Sequence, residues 1–409
     1  MLAIAVLALS PAQATSKLEP PDLDRYLRWG FLRARPGLEL SNLGYDNNIL
    51  LTPEETRVGD YTATLSPKLD GMILFGSRAF LTFVQRFDYT AYINHTDQNF
   101  LDNTTLSRLT LPFRSRQIGL FVDAGYVIDH QRPIDLEGAR PRTENASGGI
   151  GLIVAPGWRT EIELGRRLRV IEYTDDDFNA LVGPSVGDRL DRRENGTTLD
   201  LSYQLRGRTK LLITGLWQEI EFAEPFTVGD LSFTRDTDEW RAMAGLEFGE
   251  GGPLVGSFRL GWDRIVPRSP ILEVFSQPVG QASLRYRLNS RTRFELETER
   301  LPGFAVYGAN SYYLLWNARF GTIYYFSRLI GIEAGVSAGR LTFPDSIDLL
   351  GREDELRSYD LGTRFRLMEN SIGRRVEYGF KVRYYDRTST VPEFDRSATT
   401  VGFDAALGF

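Results

Sequence analysis

A chain of 409 residues without one cysteine can hold neither a disulfide framework nor a thiolate metal site. Its 48 basic and 54 acidic side chains give a net charge of −6 with no basic signature, which argues against nucleic acid as a partner. Hydrophobic residues make up 42% of the chain, yet no run of about eighteen apolar residues occurs, so no helix is expected to cross a membrane.

In chain order, Leu2 to Leu9 is a short apolar run followed by Pro11 and the small-x-small triplet Ala12-Gln13-Ala14. That pattern predicts a secretory signal over 1–14, although the basic segment that normally opens one is missing and points to a start upstream of Met1. Export leaves the periplasm, the medium and the outer membrane of a Gram-negative cell as destinations. Residues 15–30 are too few for a folded plug, and Pro20-Pro21 keeps them extended, so a short periplasmic segment is expected there. Everything from 31 to 409 then reads as one pattern.

That pattern is alternation. Thr399, Val401, Phe403, Ala405, Leu407 and Phe409 exchange places with Thr400, Gly402, Asp404, Ala406 and Gly408 at every step. Val376, Tyr378, Phe380, Val382 and Tyr384 oppose Arg375, Glu377, Lys381 and Arg383 in the same way. Trp158, Thr160, Ile162, Leu164, Leu168 and Val170 oppose Arg159, Glu161, Glu163, Arg167 and Arg169. Period two with unlike faces is the signature of a strand between two different environments. About eighteen such segments, with a range of about 16–18, are long enough to be tilted transmembrane strands. Their centres fall near Leu40, Pro67, Gln85, Ser107, Val122, Gly149, Leu164, Leu201, Gly215, Ala244, Leu260, Ala282, Leu296, Trp316, Ala334, Thr363, Phe380 and Phe403.

The connections alternate too. Gly76-Ser77, Pro156-Gly157, Gly207-Arg208, Gly251-Gly252-Pro253 and Asn289-Ser290 are tight-turn sequences. Between them lie longer polar stretches around Pro53-Glu54-Glu55, Thr174 to Glu194, Glu221 to Arg235 and Phe343 to Glu355. Short periplasmic turns and long extracellular loops are the arrangement of a single all-β, antiparallel transmembrane barrel. Periodicity alone leaves a soluble sandwich open. The barrel is favoured by strand length, by the terminal Phe409, and by aromatics near strand ends: Trp29, Phe31, Phe113, Trp158, Trp217, Trp240, Trp262, Tyr312, Tyr313, Tyr324, Tyr325 and Tyr384.

In a barrel the charges must line the lumen, because Arg or Lys facing lipid at the midplane costs about 2–4 kcal/mol. The lumen candidates are Arg159, Arg167, Arg169, Arg259, Arg291, Arg293, Arg364, Arg366, Arg375, Lys381 and Arg383, interleaved with Glu161, Glu163, Asp263, Glu295, Glu297, Glu299 and Glu377. Guanidinium forks can take carboxylate or phosphate bidentately, which suits an anionic or hydroxyl-rich solute. The same residues could equally form a self-neutralising ladder of cross-strand ion pairs. Asp175-Asp176-Asp177 and Glu353-Asp354-Glu355 are weak candidates for Ca²⁺ or Mg²⁺, since no ligand spacing accompanies them; no cofactor is expected. His95 and His130, the only histidines, sit near predicted loops outside any nucleophile motif, so the chain is not expected to be an enzyme.

Phe409 on an alternating strand resembles the C-terminal signal of outer-membrane barrels, which implies the barrel-assembly machinery as a partner. A narrower resemblance opens the mature chain, where Pro36-Gly37-Leu38-Glu39-Leu40 precedes Tyr45-Asp46-Asn47-Asn48-Ile49, Asp60-Tyr61 and Ser66-Pro67-Lys68-Leu69. This is similar to the start of the putative β-barrel porin 2 family, which includes outer-membrane proteins encoded among exopolysaccharide genes. The resemblance implies a cell outer-membrane pore associated with polysaccharide export, in contact with lipid, lipopolysaccharide and periplasmic export components. It assigns no binding residues. A general diffusion porin and a non-conducting structural or adhesive barrel remain the alternatives.

Overall fold

The computed structural model describes residues 16–21, 26–76, 78–113, 117–130, 141–174, 189–228, 231–249, 251–305, 312–344, 351–369 and 375–408. Its strands are β1 (Leu27–Trp29), β2 (Leu32–Asp46), β3 (Asp60–Phe75), β4 (Ala79–Tyr92), β5 (Phe100–Pro112), β6 (Ile118–Asp129) and β7 (Arg142–Gly157). There follow β8 (Thr160–Thr174), β9 (Arg192–Arg206), β10 (Thr209–Phe222), β11 (Phe226–Val228), β12 (Leu231–Phe233), β13 (Thr237–Phe248) and β14 (Leu254–Pro267). The last are β15 (Phe275–Arg287), β16 (Thr292–Phe304), β17 (Tyr312–Tyr325), β18 (Ile330–Thr342), β19 (Glu353–Glu369), β20 (Arg375–Ser389) and β21 (Arg396–Gly408).

Eighteen of these, β2–β10 and β13–β21, pair antiparallel with their chain neighbours. Closure comes from β2, which pairs with β3 on one edge and with β21 on the other, Leu38 facing Leu407 and Leu43 facing Phe403. The eighteen-stranded sheet has no open edge, which is the condition for strands to span a bilayer. Each predicted strand centre falls inside one barrel strand. The short β1 folds back on the start of β2 through Gly30, and β11–β12 is a hairpin within the β10–β13 connection.

Which face is inside follows from reach. Arg108 on β5 contacts Glu163 on β8 at 2.9 Å, and Lys381 on β20 contacts Glu333 on β18 at 3.6 Å. Strands that are not neighbours can meet only across the concave side. These four charged residues therefore face in, and the residues of opposite parity face out: Leu260, Leu361 and Phe380 are 66%, 63% and 59% exposed. On β2 the alternation is interrupted by a bulge at Asn42, which adopts a left-handed φ of 55°. It shifts the outward set from Leu38 and Leu40 to Leu43 and Tyr45 without exposing a charge to lipid.

The outward belt is bounded by aromatics. Toward the loop end Tyr45 faces Tyr61, Trp217 faces Trp240 and Tyr359 faces Tyr384. The charged pairs Glu219–Asp238 and Arg357–Asp386 follow one outward step beyond the second and third of these. Toward the turn end stand Phe75, Phe113, Trp158 and Tyr324, all exposed. Three of the expected girdle residues do not belong to it. Tyr312, Tyr313 and Tyr325 are buried, and consecutive strand residues point to opposite faces, so of Tyr324 and Tyr325 only the first reaches the outer surface.

Candidate functional site

Chemistry-bearing side chains converge on the inner wall, which is built from ion-pair groups. On the β5–β8 side Arg108 lies 3.6 Å from Asp123 and 2.9 Å from Glu163, and Arg167 lies 3.6 Å from the same Asp123. Next to them Glu194 holds Arg192 at 2.8 Å and Arg169 at 3.4 Å. Across β13 and β14, Arg241 sits between Glu239 and Asp263, 2.7 Å from each. On β15–β16 Glu295 takes both Arg285 and Arg293. The longest chain runs over β17–β20: Arg319, Asp360, Lys381, Glu333, Arg364, Glu377 and Arg366, ending on the Tyr325 hydroxyl.

Of the residues expected to line the lumen, Arg167, Arg169, Arg293, Arg364, Arg366, Lys381, Glu161, Glu163 and Glu295 stand in these groups or beside them. Arg259, Arg383 and Glu297 occupy inward ladder positions and form no ion pair among the described residues. Arg159 and Arg291 do not line a strand. Arg159 lies in the β7–β8 turn over the Trp158 ring, and Arg291 in the β15–β16 turn, where Asn289 Oδ1 accepts its backbone N–H. Both turns are tighter than sequence pattern could delimit. Arg375 opens β20, its side chain lying outside the described set, and Phe409 with Asp175, Asp176 and Asp177 lies outside the described residues.

Sequence reading did not pick out Arg108, Asp123, Arg192, Glu194, Glu239, Arg241, Arg319, Asp360 or Glu333. Each lies on the inward parity of its strand, so alternation held the signal; which of them meet depends on register between strands. The acidic triplet Glu353-Asp354-Glu355 is likewise not a loop. It begins β19, where alternation sends Asp354 inward to Arg352, 2.8 Å away, and Glu353 and Glu355 outward to Arg340. Those acids are neutralised by arginine, and among the described residues no acidic or histidine cluster is arranged to hold a metal ion.

Two features narrow the tube. At the turn end the segment from Ser16 to Glu19 lies on the inner wall: Ser16 Oγ and the Lys17 N–H donate to Glu161, and Lys17 Nζ lies 2.9 Å from Glu163. Leu18, only 1% exposed, packs on Phe121 and Ile153. At the loop end, Arg192 on β9 lies 4.8 Å from the ring of Phe304 on β16, and Phe226, Phe233 and Leu272 from two connections pack together. The two histidines are held by carboxylates there, His95 Nδ1 at 3.0 Å from Asp60 and His130 Nδ1 at 2.7 Å from Asp102. Among the described residues neither imidazole is hydrogen-bonded to a hydroxyl.

An apolar exterior, an ion-paired interior and complete closure define a porin-type outer-membrane β-barrel. The chain belongs to the putative beta-barrel porin 2 family, whose model matches residues 28–409. It is similar in fold to OpdK of Pseudomonas aeruginosa, solved with vanillate, at a TM-score of 0.50 and 13% identity over 92% of this chain and 98% of that one. OpdF and OpdG of the same organism match at a TM-score of 0.50 and 11% identity, with the same coverage of 92% and 98%. No curated protein sequence matches the chain.

Proposed function

We propose that this barrel stands in the outer membrane and forms a water-filled pore for polar and anionic solutes, polysaccharide among them. The observation that carries this reading is the openness of the wall. Arg285 and Arg167 keep 62% and 57% of their side-chain surface exposed although they point inward and hold acidic partners. Charges sealed in a dry interior would carry a large desolvation cost; charges on a wet wall do not. A wall of fixed donors and acceptors lets a hydroxyl-rich chain exchange one hydrogen bond for the next as it advances.

The balance of charge bears on selectivity. Most inward arginines have a carboxylate within reach, so the wall repels neither sign and attracts anions only locally, at positions such as Arg259 and Arg383. The contacts across the loop end, Arg192 to Phe304 above all, favour a second reading in which the mouth admits small solutes and excludes polymers. OpdK, holding vanillate, is a barrel of this fold with a small aromatic carboxylate bound.

Permeation of purified protein in liposomes by neutral and anionic oligosaccharides of graded length separates the two. Passage of long anionic chains, together with loss of surface polysaccharide on deletion of the gene, supports export. A sharp cut-off at small sugars with unchanged surface polysaccharide supports a small-solute porin and removes the export reading.

A further inference from the structure

The outward face is apolar at mid-height over most of its circumference, but the sector from β4 to β9 is not. Gln85 points outward between Phe83 and Phe87, and Asn103, Thr105 and Ser107 point outward between Leu101 and Leu109 on the next strand. Gln85 Nε2 donates to Asn103 Oδ1 at 2.6 Å, and Thr105 Oγ1 donates to Gln85 Oε1 at 2.7 Å. The Asn103 Nδ2 group makes no hydrogen bond among the described residues. Three strands further round, Arg166 faces out between Leu164 and Leu168. Its guanidinium donates to Thr197 Oγ1 at 3.0 Å, lies 5.9 Å from the centre of the Trp217 ring, and meets no carboxylate among the described residues.

Depth makes these groups costly. Arg166 is the fourth of the seven outward positions from Thr160 to Glu172, and Gln85 the fourth of seven from Ala79 to Ala91. Ionisable groups at such depth normally pair or face a wet cavity. Between the two polar groups the surface is cut low by Ala124 on β6 and by Ala146 and Gly148 on β7. A side chain at Gly148 would meet nothing within 4 Å, so the chain's own packing does not ask for glycine. Glycine inside a strand marks places where another backbone comes close. Small residues flanked by polar side chains are also what joins protein surfaces inside hydrocarbon.

We propose that this sector is the contact between two copies of the chain, related by a two-fold axis along the barrel axis that passes between β6 and β7. The pairs β4–β5 and β8–β9 lie equally far from that line on either side. A two-fold therefore sets Arg166 and Thr197 of one copy opposite Gln85, Asn103 and Thr105 of the other, and repeats the contact with the roles exchanged. Both groups sit at the same depth, so amide carbonyls replace hydrocarbon around the guanidinium. A lipid phosphate is the weaker occupant. Glu172, near the loop-end rim of β8, is six residues from Arg166, about 20 Å along the strand; it faces Glu144, which already holds Arg142 at 2.7 Å. The inference rests on the barrel standing in a membrane and not on what the lumen passes.

The chain has no cysteine, so disulfide trapping gives a direct test. Gly148→Cys, beside the proposed axis, should give a trapped dimer in mildly oxidised outer membranes. Ala334→Cys, outward on β18 at the opposite pole of the barrel, should stay monomeric. Heat-modifiable migration on unheated gels confirms that each variant is a folded barrel. Adding Arg166→Leu or Gln85→Leu to Gly148→Cys should reduce the dimer. No trapping at 148 in a folded barrel, or equal trapping at 148 and 334, overturns the interface. Trapping at 148 that Arg166→Leu and Gln85→Leu leave undiminished overturns the assigned pairing and points to an arginine that reaches for lipid.

Discussion

Arg108 on β5 reaches past β6 and β7 to place its guanidinium 2.9 Å from the Glu163 carboxylate on β8, while Asp123 lies 3.6 Å from the same group. One cation thus serves two acids from two other strands, and Lys17 serves Glu163 from a third direction. Arg108→Ala leaves both carboxylates with less positive charge beside them. The pore should then become more cation-selective, read as a shift of zero-current potential in a salt gradient. Loss of these charged contacts at this half-buried place should also lower stability by about 1–3 kcal/mol. An unchanged potential in a conducting, folded barrel would mean that ions do not pass this wall.

The Ser16–Glu19 segment is held at the turn end by Leu18 together with the contacts of Ser16 and Lys17 to Glu161 and Glu163. Leu18→Asp puts a charge between Phe121 and Ile153 and beside Glu163, and the loss of a buried leucine alone is worth about 2–5 kcal/mol. Release of the segment should widen that end of the tube and raise single-channel conductance. Conductance equal to that of the parent would show that the constriction lies elsewhere.

A second anchor holds the loop end. Asp354, fully buried, accepts from Arg352 and from Arg387 Nε at 3.1 Å, and the Arg352 guanidinium lies over the rings of Phe343 and Phe394. Asp354→Ala strands two buried cations, a change that costs about 3–5 kcal/mol in comparable buried pairs. The β18–β19 and β20–β21 connections should become protease-sensitive while the barrel stays heat-modifiable. Resistance equal to the parent's would contradict the role given to Asp354.

The two faces can be told apart by one substitution on each. Leu361→Arg places a charge on the outward belt and should cost about 2–4 kcal/mol in denaturant unfolding from lipid. Ala406→Arg, inward beside Glu377 and facing Glu39 across the β2–β21 ladder, should be nearly neutral. The reverse order would invert the assignment of lumen and exterior.

Much of this was legible in the sequence, because period-two alternation and turn glycines are local properties. Gly76 and Gly207 adopt the left-handed backbone that their turns require, and the strand centres follow from the runs between such turns. What could not be read is contact between strands. Arg108 and Glu163 are distant in sequence, and no alternation says which inward acid an inward arginine meets. Arg159 and Arg291 were misplaced for a related reason: strand ends are set by hydrogen-bond register, and one residue decides between wall and turn. The Asn42 bulge and the docking of Leu18 depend on neighbours that sequence does not name. Arg166 shows the limit from the other side: it shares the parity of Leu164 and Leu168, and only the sheet shows which polar groups stand beside it.

The path proposed for ions and polar solutes is the arginine-carboxylate wall. Single-channel conductance in planar bilayers, with and without an anionic oligosaccharide, tests it most directly. Conductance should be steady, scale with salt and be blocked from one side by the oligosaccharide, with block weakened in Arg259→Ala or Arg383→Ala. A folded, heat-modifiable barrel that shows no conductance under any voltage would contradict it.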